Sequence, residues 1–133
     1  FVKTMLRLAD SRPELRVVAD QIGSPTYAGD LADALLKMVD RLIELPAEVI
    51  HAQYAGIYHY SNEGVASWYD FAHAALELAG KGATVYPIPA AEYPTPAQRP
   101  HFSVMSKQKI KQTFGLQIPH WRKSLKAMLA VRS

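Results

Sequence analysis

Short β-branched runs alternate with amphipathic stretches along most of this chain, an order that restricts it to α/β layering. Arg16-Val17-Val18-Ala19-Asp20 is apolar and β-branched at its centre and reads as a buried strand. The loop Gln21-Ile22-Gly23-Ser24-Pro25-Thr26 follows, with both strong chain punctuators in it. Leu31, Leu35, Val39 and Leu42 then recur at helical spacing, with Asp33, Lys37, Asp40 and Glu44 opposite, so an amphipathic helix is expected to end before Pro46. Gly56-Ile57-Tyr58-His59-Tyr60 is a second strand candidate. Ser67-Trp68-Tyr69-Asp70 has the form of a capping box and opens a helix that runs to Gly80. Thr84-Val85-Tyr86-Pro87-Ile88 reads as a third strand, its proline at an edge or a strand end. Two short helices are expected beyond it. One runs from Ser106 to Phe114 with Gly115 after it, and one starts near His120 with Trp121, Leu125 and Met128 on a single face.

At the start of the chain Phe1, Met5 and Leu8 have helical spacing, with Lys3, Arg7 and Asp10 on the other face. A helix predicted at residue 1, without a cap and without an initiator Met, leads to the expectation that the chain is the C-terminal piece of something longer. Its 133 residues, 49% of them hydrophobic, suit one domain over 1–133 with a packed core. The absence of Cys excludes disulfides, thiolate zinc sites and cysteine nucleophiles; it fits a reducing compartment, and a cytoplasmic location is expected. No apolar run approaches the length of a membrane span, and no signal-peptide pattern opens the chain, so no membrane partner is expected.

Charge is unevenly spread, with 6 Lys/Arg against 11 Asp/Glu in residues 1–80 and 9 against 1 in residues 81–133. A basic C-terminal third invites an anionic partner, although a solvated helix face would carry the same lysines. Nucleic acid is the weaker reading. Lys107, Lys109 and Lys111 alternate with apolar or amide residues on a short helix, and no base-stacking platform accompanies them.

Catalytic motifs are missing. Gly80 and Gly82 form the only G-x-G, they follow a helix, and Val85 stands where a dinucleotide fingerprint needs its third glycine. No tyrosine has a lysine four residues later, so the pair in which an ammonium lowers a phenol pKa for proton transfer is absent. The histidines at 51, 59, 73, 101 and 120 form no metal-ligand spacing, and no G-x-S-x-G elbow occurs. A binding chemistry remains. Tyr93-Pro94-Thr95-Pro96-Ala97-Gln98-Arg99-Pro100 is a proline-stiffened loop that holds Arg99, whose guanidinium suits either a bidentate phosphate contact or a salt bridge that fixes the loop. Gln21 and Thr26 flank a turn directly after a strand, where open α/β sheets place ligand loops, or serve only to form the turn. Trp68 and Tyr69 could stack on a ring or plug the core.

These motifs taken together, with Phe1-Val2-Lys3-Thr4-Met5-Leu6, Asp20 to Thr26, Gly56-Ile57-Tyr58-His59, Ser67 to Ala72 and Tyr93 to Pro100, resemble the C-terminal part of the dTDP-4-dehydrorhamnose reductase family. The resemblance covers essentially every residue in order. It implies an α/β fold: the substrate-binding portion of an extended short-chain dehydrogenase, with short parallel strands, about five helices and no Rossmann half. For the intact enzyme it implies reduction of the 4-keto group of dTDP-4-dehydro-L-rhamnose with NADPH or NADH, in the making of dTDP-L-rhamnose for polysaccharide. The glycine fingerprint and the Tyr-x-x-x-Lys pair of that family lie in its N-terminal half, so this chain alone would bind a dTDP-sugar without catalysis and without a cofactor site. By the same resemblance Arg99 matches the arginine that holds the pyrophosphate. Gln21, Pro25 and Thr26 match the loop beside the sugar nucleotide, and Phe1 and Val2 begin the helix next to the nucleotide. Gly56 to Tyr60 would lie at the edge of the Rossmann sheet, and Arg16 to Asp20 would pair with Thr84 to Ile88. Apolar surface along that edge strand and the helix of residues 28–45 would then be exposed, favouring a retained N-terminal partner or a homo-oligomer. Two other readings share the fold: a non-catalytic regulatory module, as in the subunit of methionine adenosyltransferase that resembles these reductases, and a related nucleotide-sugar reductase or epimerase.

Overall fold

A computed structural model describes residues 1–131. Helix α1 (Val2–Ser11) leads into strand β1 (Glu14–Val18), which pairs in parallel with β4 (Thr84–Ile88) in the register Leu15 to Val85 and Val17 to Pro87. The expected pairing therefore forms. The strand spans Glu14 to Val18 instead of reaching Asp20, because the Asp20 side chain is engaged beyond the ladder, where its Oδ1 accepts the Ala90 N–H at 2.9 Å and closes the turn that follows β4. With two strands in this sheet among the described residues, Pro87 lies at an edge, as its missing N–H requires.

Helix α4 (Trp68–Leu78) is the central element. Ser67 caps it with both halves of the capping box in place, and Asp70 accepts from the Ser67 N–H at 2.9 Å. Gly80, at φ 64°, takes the left-handed conformation just beyond its end. One face of α4 sends Ala72 and Leu76 against Leu15, Val17 and Val85, with α1 packed on the same cluster. The other sends Ala74 and Ala75 against Trp121 and Leu125 of α6 (Trp121–Ala130), for which His120 is the cap. Alanines at three buried positions let neighbouring elements approach the α4 backbone closely.

A third cluster joins α2 (Ala28–Leu42) to α5 (Gln108–Phe114) through Ala34, Ile110, Phe114 and Leu116, with Tyr54, Tyr58 and Tyr60 packed around them. The opposite face of α2 leaves Leu35, Leu36, Val39 and Ile43 exposed. Directly after α2 comes α3 (Ala47–Gln53), which sequence reasoning missed: Pro46, read only as a stop, is also its N-cap. Six α-helices thus occur among the described residues, where about five were expected.

Gly56–Tyr60 is not a strand. A ladder needs a neighbour, and among the described residues none lies beside it; Ile57 is 80% exposed, while Tyr58 and Tyr60 turn into the third cluster. A second small pairing was also unforeseen. Strand β2 (Ile22–Gly23) runs antiparallel, not parallel, to β3 (Ala66–Ser67), and two residues are too few for any periodicity to register.

The elements meet at Asn62, which has no exposed surface. Its Oδ1 accepts the Tyr27 N–H at 2.7 Å, and its Nδ2 lies within reach of Asp30 Oδ2 at 2.6 Å, Pro119 O at 3.1 Å and Ser124 Oγ at 3.1 Å. Ser124 Oγ in turn donates to Asp30. The entry to α2, the chain before α6 and α6 itself are therefore bound to one amide. The next residue extends the arrangement: Glu63 pairs with Lys107 and Lys111, and its backbone bonds both Pro119 and Trp121. Replacing Asn62 by Ala leaves a carboxylate, an N–H and a carbonyl without their buried partner, so a loss of about 2–4 kcal/mol is expected in urea denaturation.

Hydrogen bonding from Lys111 holds the Glu63 carboxyl below its ordinary value of 4.5; burial opposes this, and Lys107 adds to it. A depressed folded pKa stabilises the fold above 4.5, and that contribution disappears as pH falls through the lower folded value. Glu63→Gln should therefore flatten the acid limb of the stability profile between about pH 6 and 3, measured by the same denaturation. An unchanged limb would separate Glu63 from the acid response.

Candidate functional site

The loop between β1 and α2 is held at three points. At its start Ile22 and Gly23 pair with Ser67 and Ala66; in its middle Ser24 Oγ donates to Gly64 O at 2.9 Å; at its end the Tyr27 N–H reaches Asn62. Gly64 has φ 85°, and a Cβ there would stand 2.3 Å from His120 Nε2, so this crossing demands glycine. Thr26 Oγ1 donates back to Ser24 O at 3.1 Å and tightens the turn.

On its other side β2 receives the proline-rich loop. The Ile22 N–H donates to His101 O at 2.7 Å, the Ser103 N–H donates to Ile22 O at 2.9 Å, and Phe102 forms a parallel bridge with Ile22. His101 Nδ1 also lies 2.8 Å from Asp20 O. Two loops far apart in sequence are thereby laid side by side, and a cleft of about 640 Å³ opens between them and the start of α4. That volume is in the range of small-molecule sites.

Gln21, Pro25, Thr26 and Arg99 all line this cleft, with Ser24, Pro100 and Ser103 beside them and Trp68 and Phe71 as its aromatic wall. Among the described residues Arg99 has neither ion-pair partner nor hydrogen bond, so the loop-fixing salt bridge is not formed. Phe1 and Val2 do not line the cleft. Phe1 lies behind its aromatic wall, 5.0 Å from the Trp68 ring and stacked 5.4 Å from Phe71, and Val2 packs on the cluster of Trp121 and Leu125. Tyr69 turns to the cluster around Leu15, leaving Trp68 as the aromatic that meets solvent. Sequence reasoning did not single out Phe71 or Ser103; the His101–Ser103 anchoring could only emerge from the fold.

The chemistry of the cleft is that of a grip. Among the described residues that line it there is no Asp, Glu, His, Lys, Cys or Tyr, and Ser67 has its hydroxyl engaged by Asp70. A free guanidinium, an amide and hydroxyls over an apolar wall suit an anionic molecule that also carries a ring. No group of His, Asp or Glu able to hold a metal ion occurs among the described residues. The second, smaller cavity, about 120 Å³ between α2 and the chain before α6, contains Asp30, Asp33 and Tyr60. Burial and then those two carboxylates push the Tyr60 phenol above its ordinary value.

Fold and cleft are those of a small α/β substrate-binding domain. Comparison with known proteins makes this specific: the family model described as the RmlD substrate binding domain matches residues 1–133, and the chain belongs to that family. It is 42% identical over 133 residues to a spore coat polysaccharide biosynthesis protein of Bacillus subtilis, covering all of this chain and 42% of that protein. A dTDP-4-dehydrorhamnose reductase of Aggregatibacter actinomycetemcomitans is 43% identical over 136 residues, with 98% of this chain and 45% of that protein covered. Among solved structures, a dTDP-4-dehydrorhamnose reductase of Clostridium acetobutylicum superposes with a TM-score of 0.83 at 37% identity, over 98% of this chain and 43% of that one. The corresponding Bacillus anthracis reductase, solved in complex with NADP, gives 0.81 at 36% identity, over 99% and 42%. The chain thus spans less than half the length of the relatives it matches.

Proposed function

We propose that this chain is the substrate-holding part of an NADPH-dependent dTDP-4-dehydrorhamnose reductase, an oxidoreductase of dTDP-rhamnose biosynthesis that works in the cytoplasm. The observation that carries the reading is Arg99, an unpaired cation on a stiff loop at a cleft without proton-transfer groups among the described residues. In this role Arg99 grips the diphosphate, Gln21, Pro25 and Thr26 border the sugar nucleotide, and Phe1 and Val2 support the aromatic wall from behind. The nicotinamide supplies the hydride when bound, and this chain's residues do not fit it. Gly80 and Gly82 follow a helix instead of a strand, and Gly80 serves to end that helix. The residues here bind and orient the sugar nucleotide; proton and hydride movement belong to the other half of the reductase.

That half also has a seat. The exposed face of α2, with Leu36 and Ile43, and residues 56–60, which join no ladder among the described residues, are the surfaces on which an N-terminal Rossmann half would pack. Without it the chain should self-associate in sedimentation and bind an apolar dye. A dye-silent monomer would contradict the packing.

Titration of the chain with dTDP and dTDP-rhamnose tests the main reading. Binding is expected without NADPH binding or turnover, and Arg99→Ala should weaken it by about ten- to a hundredfold, the worth of a charge-assisted bond, with Arg99→Lys recovering only part. Equal affinity in the Ala variant would remove Arg99 from this role.

A further inference from the structure

Trp68 and Gln21 form a couple whose chemistry is directional. The indole Nε1–H lies 3.3 Å from Gln21 Oε1. Indole can only donate, so the atom it meets must be the amide oxygen, and the orientation of the Gln21 amide follows from chemistry. With Oε1 engaged, the two N–H donors of Nε2 have no partner among the described residues, and Gln21 lines the cleft. The indole itself is firmly placed. Trp68 is the first residue of α4 behind the Ser67 capping box, its ring meets Phe1 at 5.0 Å, and Phe1 rests on Phe71, which abuts Trp121 edge-on at 5.8 Å. Yet Trp68 remains 37% exposed and lines the cleft. A rigid aromatic surface beside an amide whose two N–H donors are unpartnered among the described residues is suited to a flat ring with an exocyclic carbonyl oxygen.

We propose that Trp68 is a positioning residue for base selection: it holds the Gln21 amide donor-side out, so that the cleft accepts a pyrimidine with a carbonyl at its 4-position and disfavours one with an amino group there. This rests on the reading of the chain as a nucleoside-diphosphate-sugar binder and adds to it the means by which the base is read. Facing a 4-amino group, the amide would set donor against donor and leave both desolvated. The 5-methyl group of thymine plays no part in this contact, so thymine and uracil should be treated alike.

The test is a comparison of dTDP, dUDP and dCDP as ligands of the chain and of Trp68→Phe, Gln21→Glu and Arg99→Ala variants, by calorimetry. The expected result is that dTDP and dUDP bind on the order of tenfold or more tighter than dCDP. Trp68→Phe keeps an aromatic surface and removes only the N–H, so the amide can turn over and the preference should collapse toward unity. Gln21→Glu offers acceptors alone and should invert the ratio in favour of dCDP, which serves as the readout should the Phe variant fold poorly. Equal binding of dTDP and dCDP to the unaltered chain, or a preference that survives both Trp68→Phe and Gln21→Glu, would overturn the inference. If in that case Arg99→Ala still weakens every nucleotide, the substrate-holding reading stands. Failure of all three diphosphates to bind would overturn both.

Discussion

One buried amide sets the geometry of everything around it. Asn62 accepts from the backbone that opens α2 and donates toward Asp30, Pro119 and Ser124, so three segments separated by up to ninety-seven positions share a single side chain. Apolar contacts are non-directional and would tolerate these segments sliding past one another, whereas a fully satisfied polar node inside the protein permits one arrangement. The loop of residues 21–26 gains most from this. Tyr27, held by Asn62, directly follows Thr26, and Ser24 is held by Gly64 two residues beyond Asn62, so the floor of the cleft is fixed by the same node that seats α6.

Two packing layers then divide the work. Around α4, alanines bring α1, α6 and the β1–β4 pair close to one backbone, and this rigid body carries Trp68 at its first turn. Around α2, a cluster of tyrosines joins Phe114 and Leu116, and the outer face of that helix remains apolar and open. The cleft borrows from the first layer and from β2, which explains why its aromatic wall is firm while its guanidinium-bearing wall is a loop.

Much of this was legible in the residues. Capping at Ser67 and Asp70, the end of α5 at Gly115 and the start of α6 near His120 are written in local chemistry, and local chemistry survives folding. Arg99 was conspicuous because prolines surround it. Gly56 to Tyr60 failed as a strand for the opposite reason, since β-character is realised only when another strand offers its edge, and no amount of Ile and Tyr supplies one. Asn62, the most consequential residue, left no trace in the pattern: a single asparagine before Glu63 looks like any loop residue until four distant partners converge on it. The Trp68–Gln21 contact likewise spans 47 positions and could not be inferred from spacing.

The anchoring of the proline-rich loop at His101, Phe102 and Ser103 bears on how a bound molecule departs. Arg99 sits only two residues from the first of these anchors, with Pro100 in between fixing φ, so its backbone has little freedom left to lose when an anion arrives. Ordering is confined to the guanidinium arm. If Arg99 grips an anion as proposed, release needs only that one side chain to swing aside and no lid to open.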